Sequence, residues 1–289
     1  SYGFDVQTNW IFGSRNFATA GISFFRDKNE DFRLTTNRIS GAQNRTKSVP
    51  DADFGSFAGF FQDEFTVTNR LKLIGGIRIE RFFSGSKQTE FFAFPANIRQ
   101  FQLEDLGVLG LDPGLKVRET AITGDFGAVF KVNDFVSLTA RAGRSFRVAN
   151  LFERFFTGAG SVGGFLIGNP SLKPESGINF DGSVKVRTSK FAGSFTYFNN
   201  FYRDFLSSQF AFDSRNCPVL LLTATTVLDA NGCQVVSGNP TRVQQTINFG
   251  RVRLQGFEAD LEVPFRFAGG FITPSGNISY LSGDNLDTT

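Results

Sequence analysis

Apolar and polar residues alternate along most of the chain. In the segment LKLIGGIRIE, 71–80, the odd positions are apolar or small, while Lys72 and Arg78 fall on the other face. Successive side chains of a strand point to opposite faces, so a period of two predicts β-strands rather than helices. About ten such segments can be counted, at 2–12, 17–28, 54–68, 71–84, 117–132, 135–147, 175–188, 191–206, 244–264 and 270–281.

The connections between these segments alternate in length. Short turns are predicted at Gly13–Arg15, Asn69–Arg70, Asn133–Asp134, Ser189–Lys190 and Arg266–Gly269. Long polar stretches are predicted at 29–53, 85–116, 148–174 and 207–243. One end of the sheet is therefore predicted to carry short turns, and the other end is predicted to carry long loops.

This asymmetry is typical of outer-membrane barrels, which have short periplasmic turns and long extracellular loops. A soluble sandwich shows the same alternation along its strands, so alternation alone does not separate the two architectures. The long loops favour the barrel, because structureless loops beyond about 12–15 residues are uncommon in compact soluble domains. The sequence therefore predicts an all-β fold, an antiparallel transmembrane β-barrel with about ten strands in this chain.

A barrel places the two faces of each strand in different surroundings. The apolar positions are expected to contact lipid, and the polar positions are expected to face a water-filled lumen. The expected lipid contacts include Leu73, Ile77, Phe180, Val184, Phe257 and Leu261. The expected lumen residues include Arg78, Lys185, Arg187, Glu258 and Asp260.

Composition supports strands and excludes some functions. The chain of 289 residues contains 31 glycines and 38 phenylalanines, and its formal charge is only +3. So small a charge argues against a nucleic-acid partner, which would need a basic stripe. No apolar run reaches the ~18 residues of a membrane-spanning helix. The chain opens directly on a strand-like segment without Met, so we expect an internal piece of a longer precursor.

Two motifs in the middle of the chain resemble a known family. The run VSLTARAGRSFRVANLFERFF, 136–156, followed by GNPSLKPES, 168–176, is similar to the central barrel region of TonB-dependent outer-membrane receptors. The residues that match the two boxes are Phe146, Arg147, Asn169, Pro170, Leu172, Lys173, Pro174 and Glu175. The segments 57–82 and 248–265 also resemble barrel strands of this family, and the four matches follow in the right order.

The resemblance implies a fold, a location and an activity. The chain would be an arc of a ~22-stranded barrel in the outer membrane of a Gram-negative-type bacterium, in contact with outer-membrane lipid. Residues 1–289 would form part of the barrel domain, with the plug domain and the C-terminal strands outside this chain. The expected function is TonB-energised uptake of a scarce ligand, such as a ferric siderophore, cobalamin or an oligomeric nutrient, with TonB acting through the plug.

Alternatives from other classes stay open. A passive pore, or a structural barrel that anchors surface partners, would show the same strands. A soluble β-rich enzyme or adhesin is the third class. The chain also departs from the family pattern: FRVA lacks the expected proline, and the loop between the two boxes lacks the histidine that the haem-binding members carry. Haem uptake is therefore not supported by the sequence.

The NPSLKPE box is expected to be a stiff corner. Pro170 and Pro174 each fix φ and push the preceding residue toward extended geometry. Within the resemblance, this corner would end an extracellular loop and begin the next strand. The alternative is an ordinary surface loop that ends in two prolines.

The loop between the two boxes is the predicted capture site for the ligand. It combines charged and aromatic side chains with a glycine-rich stretch, TGAGSVGG, that would permit closure. The predicted ligand-binding residues are Arg147, Asn150, Glu153, Arg154, Phe155 and Phe156. The alternative is that the long loops only cover the barrel mouth or serve partner contact.

Other chemistry is predicted to be structural. Cys217 and Cys233 lie in one long loop, and they predict a disulfide worth ~3 kcal/mol in the chain-entropy model. Glu258, Asp260 and Glu262 could serve acid–base chemistry or a cation site, but lining a lumen and pairing with inward Arg and Lys is the favoured interpretation. The sequence predicts no enzyme, no metal site and no cofactor.

Overall fold

The computed structural model describes residues 1–108, 114–160, 164–223, 226–236 and 240–287. Within these ranges it contains two short helices, α1 (Gln100–Asp105) and α2 (Leu151–Phe155). The strands are β1 (Tyr2–Phe12), β2 (Asn16–Asn29), β3 (Arg33–Thr36), β4 (Gln43–Thr46), β5 (Ala52–Thr66), β6 (Leu71–Ser86), β7 (Lys116–Lys131), β8 (Val136–Arg147), β9 (Thr157–Ala159), β10 (Phe165–Ile167), β11 (Glu175–Arg187), β12 (Ala192–Arg203), β13 (Leu206–Phe210), β14 (Thr226–Leu228), β15 (Gln234–Val236), β16 (Val243–Asn248), β17 (Val252–Glu262), β18 (Phe265–Phe267), β19 (Gly270–Ile272) and β20 (Ser275–Asn285).

Ten long strands form one sheet. Their order is β1-β2-β5-β6-β7-β8-β11-β12-β17-β20, and every neighbouring pair is antiparallel. Each long strand therefore pairs with the next long strand along the chain, as in an up-and-down barrel. Strands β1 and β20 are the two edges, so this stretch of chain forms a wall that does not close on itself.

The predicted strands are confirmed, but two of the predicted segments are divided. The segment predicted at 244–264 is two strands, because β16 leaves the wall and joins a small sheet, while β17 belongs to the wall. The two strands are separated at Gly250, which has a φ of +93°. A Cβ at this glycine would lie 2.2 Å from an Asp287 carboxylate oxygen, so a side chain there would have to displace it. The segment predicted at 270–281 is likewise divided between β19 and β20.

The two faces of the wall follow the predicted register. Ile77 lies opposite Phe61 on one side and Gly124 on the other, and Leu261 lies opposite Gly193 and Gly276. Directly opposed residues of paired strands lie on the same face. The strand pairing therefore puts all six predicted apolar residues on one face and all five predicted charged residues on the other. We call these the apolar face and the polar face.

Three of the short turns share one local mechanism. The Asn133 side-chain oxygen accepts hydrogen bonds from the Phe135 and Val136 N–H groups, each at 2.9 Å. The hydroxyls of Thr68 and Thr188 accept in the same way from the N–H groups two and three residues later. A short polar side chain that caps its own turn lets the chain reverse between two strands.

The opposite end of the wall carries the long connections. They span 30–51, 87–115, 148–174 and 204–251, close to the predicted loops, and they contain both helices and the strands β3, β4, β9, β10 and β13 to β16. Neither helix in the described part of the chain is long and apolar enough to cross a membrane.

Candidate functional site

The four long connections form one folded layer, which we call the outer-loop layer (30–51, 87–115, 148–174 and 204–251). Its centre is a four-stranded sheet in the order β13-β16-β10-β9. Strands β9 and β10 come from the connection before the NPSLKPE box, and β13 and β16 come from the connection after β12. The sequence predicted loops here, and the structure shows that two of them share one sheet.

The layer has a hydrophobic core of its own. The buried residues of this core come from three different connections: Ile98, Leu103, Leu106, Val108, Ile167, Ala211, Val219 and Val243. Helix α1 supplies Leu103, and the amide of Gln245 in β16 donates to the Leu106 carbonyl at 3.0 Å and to the Gly168 carbonyl at 3.2 Å. Burying apolar surface between connections holds them together far more firmly than loop hydrogen bonds alone would.

The first connection, 30–51, is attached to the same layer. The Lys47 N–H donates to the Phe91 carbonyl at 3.0 Å, and the Thr157 N–H donates to the Ser48 carbonyl at 2.6 Å. All four connections are thus linked at one end of the wall.

The two boxes of the predicted family motif meet at the junction of wall and layer. Arg147, the last residue of β8, lies directly opposite Glu175, the first residue of β11. The Glu175 carboxylate accepts from the Leu206 N–H at 3.0 Å, and the Asn169 amide donates to the Thr246 carbonyl at 3.0 Å. The NPSLKPE box is therefore a corner, as predicted, and its polar groups tie two outer connections together.

Asn248 completes this junction from the other side. Its amide donates to the Lys173 carbonyl at 2.8 Å and to the Asp204 carbonyl at 2.9 Å, and its side-chain oxygen accepts from the Lys173 N–H. Leu172 is buried with Ala149 and Leu206 beneath it. Sequence reasoning missed Asn248, because no local pattern marks a residue that bonds to chain 75 positions away.

Helix α2 begins with a capping box. The Asn150 side chain accepts from the Glu153 N–H at 2.8 Å, and the Glu153 carboxylate accepts from the Asn150 N–H at 2.9 Å. The other oxygen of Glu153 pairs with Arg147. The spacing N-x-x-E is a sequence signal for a helix start that could have been recognised. These two side chains are therefore engaged in holding the helix.

Arg154 is a buried tie between the loop and the wall. Its guanidinium is 1% exposed and donates to the carbonyls of Pro170 and Leu172 at 3.1 Å each. It also pairs with Glu119 of β7 at 2.6 Å. A buried charge requires this degree of pairing and hydrogen bonding.

Of the six predicted ligand-binding residues, two are therefore inside the layer. Arg154 and Phe155 are both buried, so neither presents a surface to a ligand in this structure. Phe156 stacks on the half-exposed Phe152 with ring centroids 4.0 Å apart, and Arg147 keeps a 46% exposed side chain. Ligand contact stays a prediction for all six residues, and in this structure Arg147 and Phe156 are more accessible than Arg154 and Phe155.

The predicted disulfide between Cys217 and Cys233 is present. It joins two turns of the same construction, DSRNC at 213–217 and DANGC at 229–233. In each turn the leading aspartate accepts from the N–H of the cysteine four residues later, at 3.0 and 2.8 Å. The residue before each cysteine, Asn216 or Gly232, has a positive φ. The repeated D-x-x-x-C spacing is a signal that the sequence offered.

Asp213 is ionised in a fully buried position. Burial opposes its charge, but the Arg215 guanidinium at 2.8 Å, the Cys217 N–H and the Gln102 amide outweigh that cost. The pKa of the Asp213 carboxyl therefore lies below its ordinary value. The charged carboxylate links helix α1 to the disulfide-bonded turn.

The exposed surface of the layer carries arginines beside aromatic rings. The Arg242 guanidinium carbon lies 3.7 Å from the Phe210 ring centroid and 6.0 Å from that of Phe212, and both rings are nearly half exposed. Two further groups of this kind are Arg45 with Phe32 and Phe91, and Arg99 and Arg215 with Phe101. Such pairs present positive charge and a flat apolar surface at the same place.

Beneath the layer, the polar face of the wall is lined by charges. A cavity of about 740 Å³ lies against it, with Arg78, Asp125, Arg141 and Asp181 among its lining residues. Arg141 pairs with Asp125 at 3.2 Å. Asp260 accepts a hydrogen bond from Ser194, a polar neighbour rather than the Arg or Lys that the sequence suggested. Within the described ranges, no three His, Cys, Asp or Glu side chains come together to hold a metal ion.

An antiparallel wall with one apolar and one polar face, short turns at one end and a folded loop layer at the other, defines the class of membrane-barrel receptors and pores. The family comparison is more specific. Residues 1–289 match the model of the TonB dependent receptor-like beta-barrel, and the chain belongs to this family.

Three solved structures of similar fold are transporters or receptors by their descriptions. The copper transporter OprC superposes with a TM-score of 0.67 at 15% identity, over 98% of this chain and 38% of that one. The hemophore receptor HasR of Serratia marcescens, in complex with HasA and heme, gives 0.60 at 13% identity over 97% and 41%. The FrpB iron transporter of Neisseria meningitidis, in its F5-1 apoprotein form, gives 0.56 at 12% identity over 97% and 36%.

The chain thus spans about two fifths of the length of these structures. At such identities the likeness concerns the fold. Comparison with curated protein sequences gave no match.

Proposed function

We propose that this chain is part of an outer-membrane receptor that imports a scarce ligand with energy supplied by TonB. Family membership supports the general mechanism. In this proposal TonB acts on a plug domain encoded outside these residues, and the outer-loop layer meets the ligand first.

The observation that carries the proposal is an exposed apolar face beneath a folded loop layer. Ile77, Phe180 and Leu261 are each about half exposed, at 51%, 47% and 50%. A soluble protein rarely leaves so extended an apolar surface in water. Lipid would cover this face, while the polar face would line the route of the ligand.

For the ligand we propose an anionic metal chelate that carries aromatic rings. The three arginine–phenylalanine groups of the layer support this choice, because a guanidinium attracts the negative charge while the phenyl ring stacks on an aromatic group. The copper, iron and heme named for the similar structures are cargoes of those proteins. Cobalamin and oligomeric nutrients fit this surface less well, because they lack several negative charges beside aromatic rings.

The test uses the full-length gene in a strain that lacks its own chelate receptors. Uptake of radioactive iron is measured from an anionic catechol chelate and from a neutral, non-aromatic hydroxamate chelate, with and without a protonophore. We expect energy-dependent uptake of the catechol chelate, reduced about tenfold by Arg242→Gln, since a desolvated cation–π or ion contact is worth roughly 1–2 kcal/mol. Arg38→Gln removes a more exposed charge of the layer and serves as the control.

Other outcomes separate the alternatives. Uptake that persists with the protonophore identifies a passive pore. Equal uptake of both chelates, or equal loss in Arg242→Gln and Arg38→Gln, refutes the proposed ligand surface while leaving energised import intact. A purified chain that stays in solution without detergent contradicts the membrane location. That result would favour the soluble adhesin or enzyme.

A further inference from the structure

The basic residues of the apolar face are distributed unevenly along the strands. On the polar face, Lys and Arg occur near both ends of the strands. Lys72 and Lys185 lie near the short turns, and Arg147 lies at the loop end. On the apolar face, every Lys and Arg of the ten described long strands lies in the half of its strand that is nearest the outer-loop layer. They are Arg26, Lys28, Arg81, Lys116, Arg118, Arg144, Arg203 and Arg253.

Three of these arginines surround one phenylalanine. Phe83 lies directly opposite Arg118 on β7, two residues after Arg81 on the same face of β6. Its ring lies over Gly55, where an added Cβ would come within 2.5 Å of the ring, and this position brings it to 5.9 Å from the Arg26 guanidinium carbon. The absence of a side chain at Gly55 thus allows the aromatic ring and the cations to gather.

An aromatic floor continues from Phe83 toward the first strand. Phe24 stacks with Phe83 at 6.4 Å between centroids, and it also contacts Tyr2 at 6.1 Å and Phe4 at 5.8 Å. We call Arg26, Arg81 and Arg118 with this floor of Tyr2, Phe4, Phe24 and Phe83 the basic–aromatic patch. It offers an apolar surface bordered by cations on the outside of the wall.

The charges of the patch are only partly balanced within the chain. Arg26 pairs with Asp53 at 2.9 Å. Arg81 and Arg118 are both exposed, and the described residues give neither of them an ion-pair or hydrogen-bond partner for its side chain. Two guanidinium groups on neighbouring strands repel each other, and an external anion bound between them would relieve this repulsion.

We propose that the basic–aromatic patch binds an anionic lipid, one whose headgroup phosphate is not neutralised by a cation of its own, in the membrane leaflet on the loop side. This inference rests on the proposed membrane location of the wall. A cation on a lipid-facing strand is tolerated only near the interface, which is where a phosphate headgroup lies. The guanidinium fork pairs two phosphate oxygens at once, and the phenyl rings below it accommodate the start of an acyl chain.

The test uses the full-length receptor, delipidated in a mild detergent, and native mass spectrometry. Dioleoyl phosphatidic acid is titrated as the probe, beside zwitterionic phosphatidylcholine and free inorganic phosphate. We expect selective retention of phosphatidic acid over both, and a decrease of about tenfold in Arg81→Gln/Arg118→Gln, because two charge-assisted donors are lost. Arg15→Gln/Lys190→Gln removes the same charge at the short turns and is expected to retain the lipid fully.

The outcomes distinguish this inference from the proposed function. Equal retention of the two lipids, equal retention of free phosphate, or an equal loss in both double variants overturns the lipid site even when energised uptake is normal. Heat-modifiable gel mobility of each variant shows whether the barrel is intact. A wild-type protein without that mobility contradicts the membrane barrel, and with it both the proposed function and the patch.

Discussion

A few polar side chains decide how the outer-loop layer is attached to the wall. Arg154 is the strongest example, since one buried guanidinium bonds to two carbonyls of the NPSLKPE box and to Glu119 of the wall. Removing one partner of a buried pair leaves the other charge unpaired, which costs more than the pair contributes. In this structure Arg154 therefore holds the loop against the wall, and its ligand-binding role stays a prediction.

We expect Arg154→Met to loosen the connection 148–174 by about 3–5 kcal/mol, the usual cost of breaking a buried ion pair. Hydrogen exchange of the full-length protein measures this as faster exchange in 148–174 with unchanged exchange in β7 and β8. Arg147→Met is the control, because its pair with Glu153 is exposed and worth about 1 kcal/mol or less. Equal protection in the wild type and Arg154→Met would contradict the buried tie.

At this scale the sequence is informative where the signal is local. The capping box of Asn150 and Glu153 and the two D-x-x-x-C turns are visible as residue spacings in the sequence alone. The burial of Arg154 and the contacts of Asn248 are not, because a charged or amide residue in a loop has the same local pattern whether it is buried or exposed.

At the scale of the elements, alternation predicts the wall well. A period of two identifies both the strands and their faces, since a register error of one residue would exchange the faces throughout. It fails in the segment 244–264, where the alternation runs on through the break. Gly250, with its positive φ, is the local sign that β16 and β17 belong to different sheets.

The assignment of faces predicts an asymmetric response to charge. Ala142 lies near the middle of β8 on the apolar face, opposite Phe126 and Phe180. We expect Ala142→Arg to destabilise the barrel by about 2–4 kcal/mol, since the cation would enter the hydrocarbon region. Thr139→Arg is the matched control on the polar face, where the same cation stays in water and costs little.

Folding into lipid vesicles, followed by denaturant titration and gel mobility, measures both variants of the full-length protein. A larger loss of stability in Thr139→Arg than in Ala142→Arg would mean that the apolar face points away from lipid, which would contradict the barrel.

At the scale of the whole molecule, the long connections act as a single folded layer. Gln245 bonds to the Leu106 carbonyl, a residue 139 positions earlier, and Asn97 contacts the Leu222 carbonyl across 125 positions. Contacts between such distant residues leave no local pattern, which is why the sequence predicted loops and no common core for them. The wall was predictable because each strand pairs with its neighbour along the chain.

The central claim is that the outer-loop layer faces outward from the cell and the short turns face the periplasm. Single cysteines at Asn133 and at Ala159 test it in intact cells with a membrane-impermeant thiol reagent, against a background in which both native cysteines form a disulfide. We expect labelling at position 159 and none at position 133 until the outer membrane is opened. Labelling at 133 with protection at 159 in intact cells would contradict it.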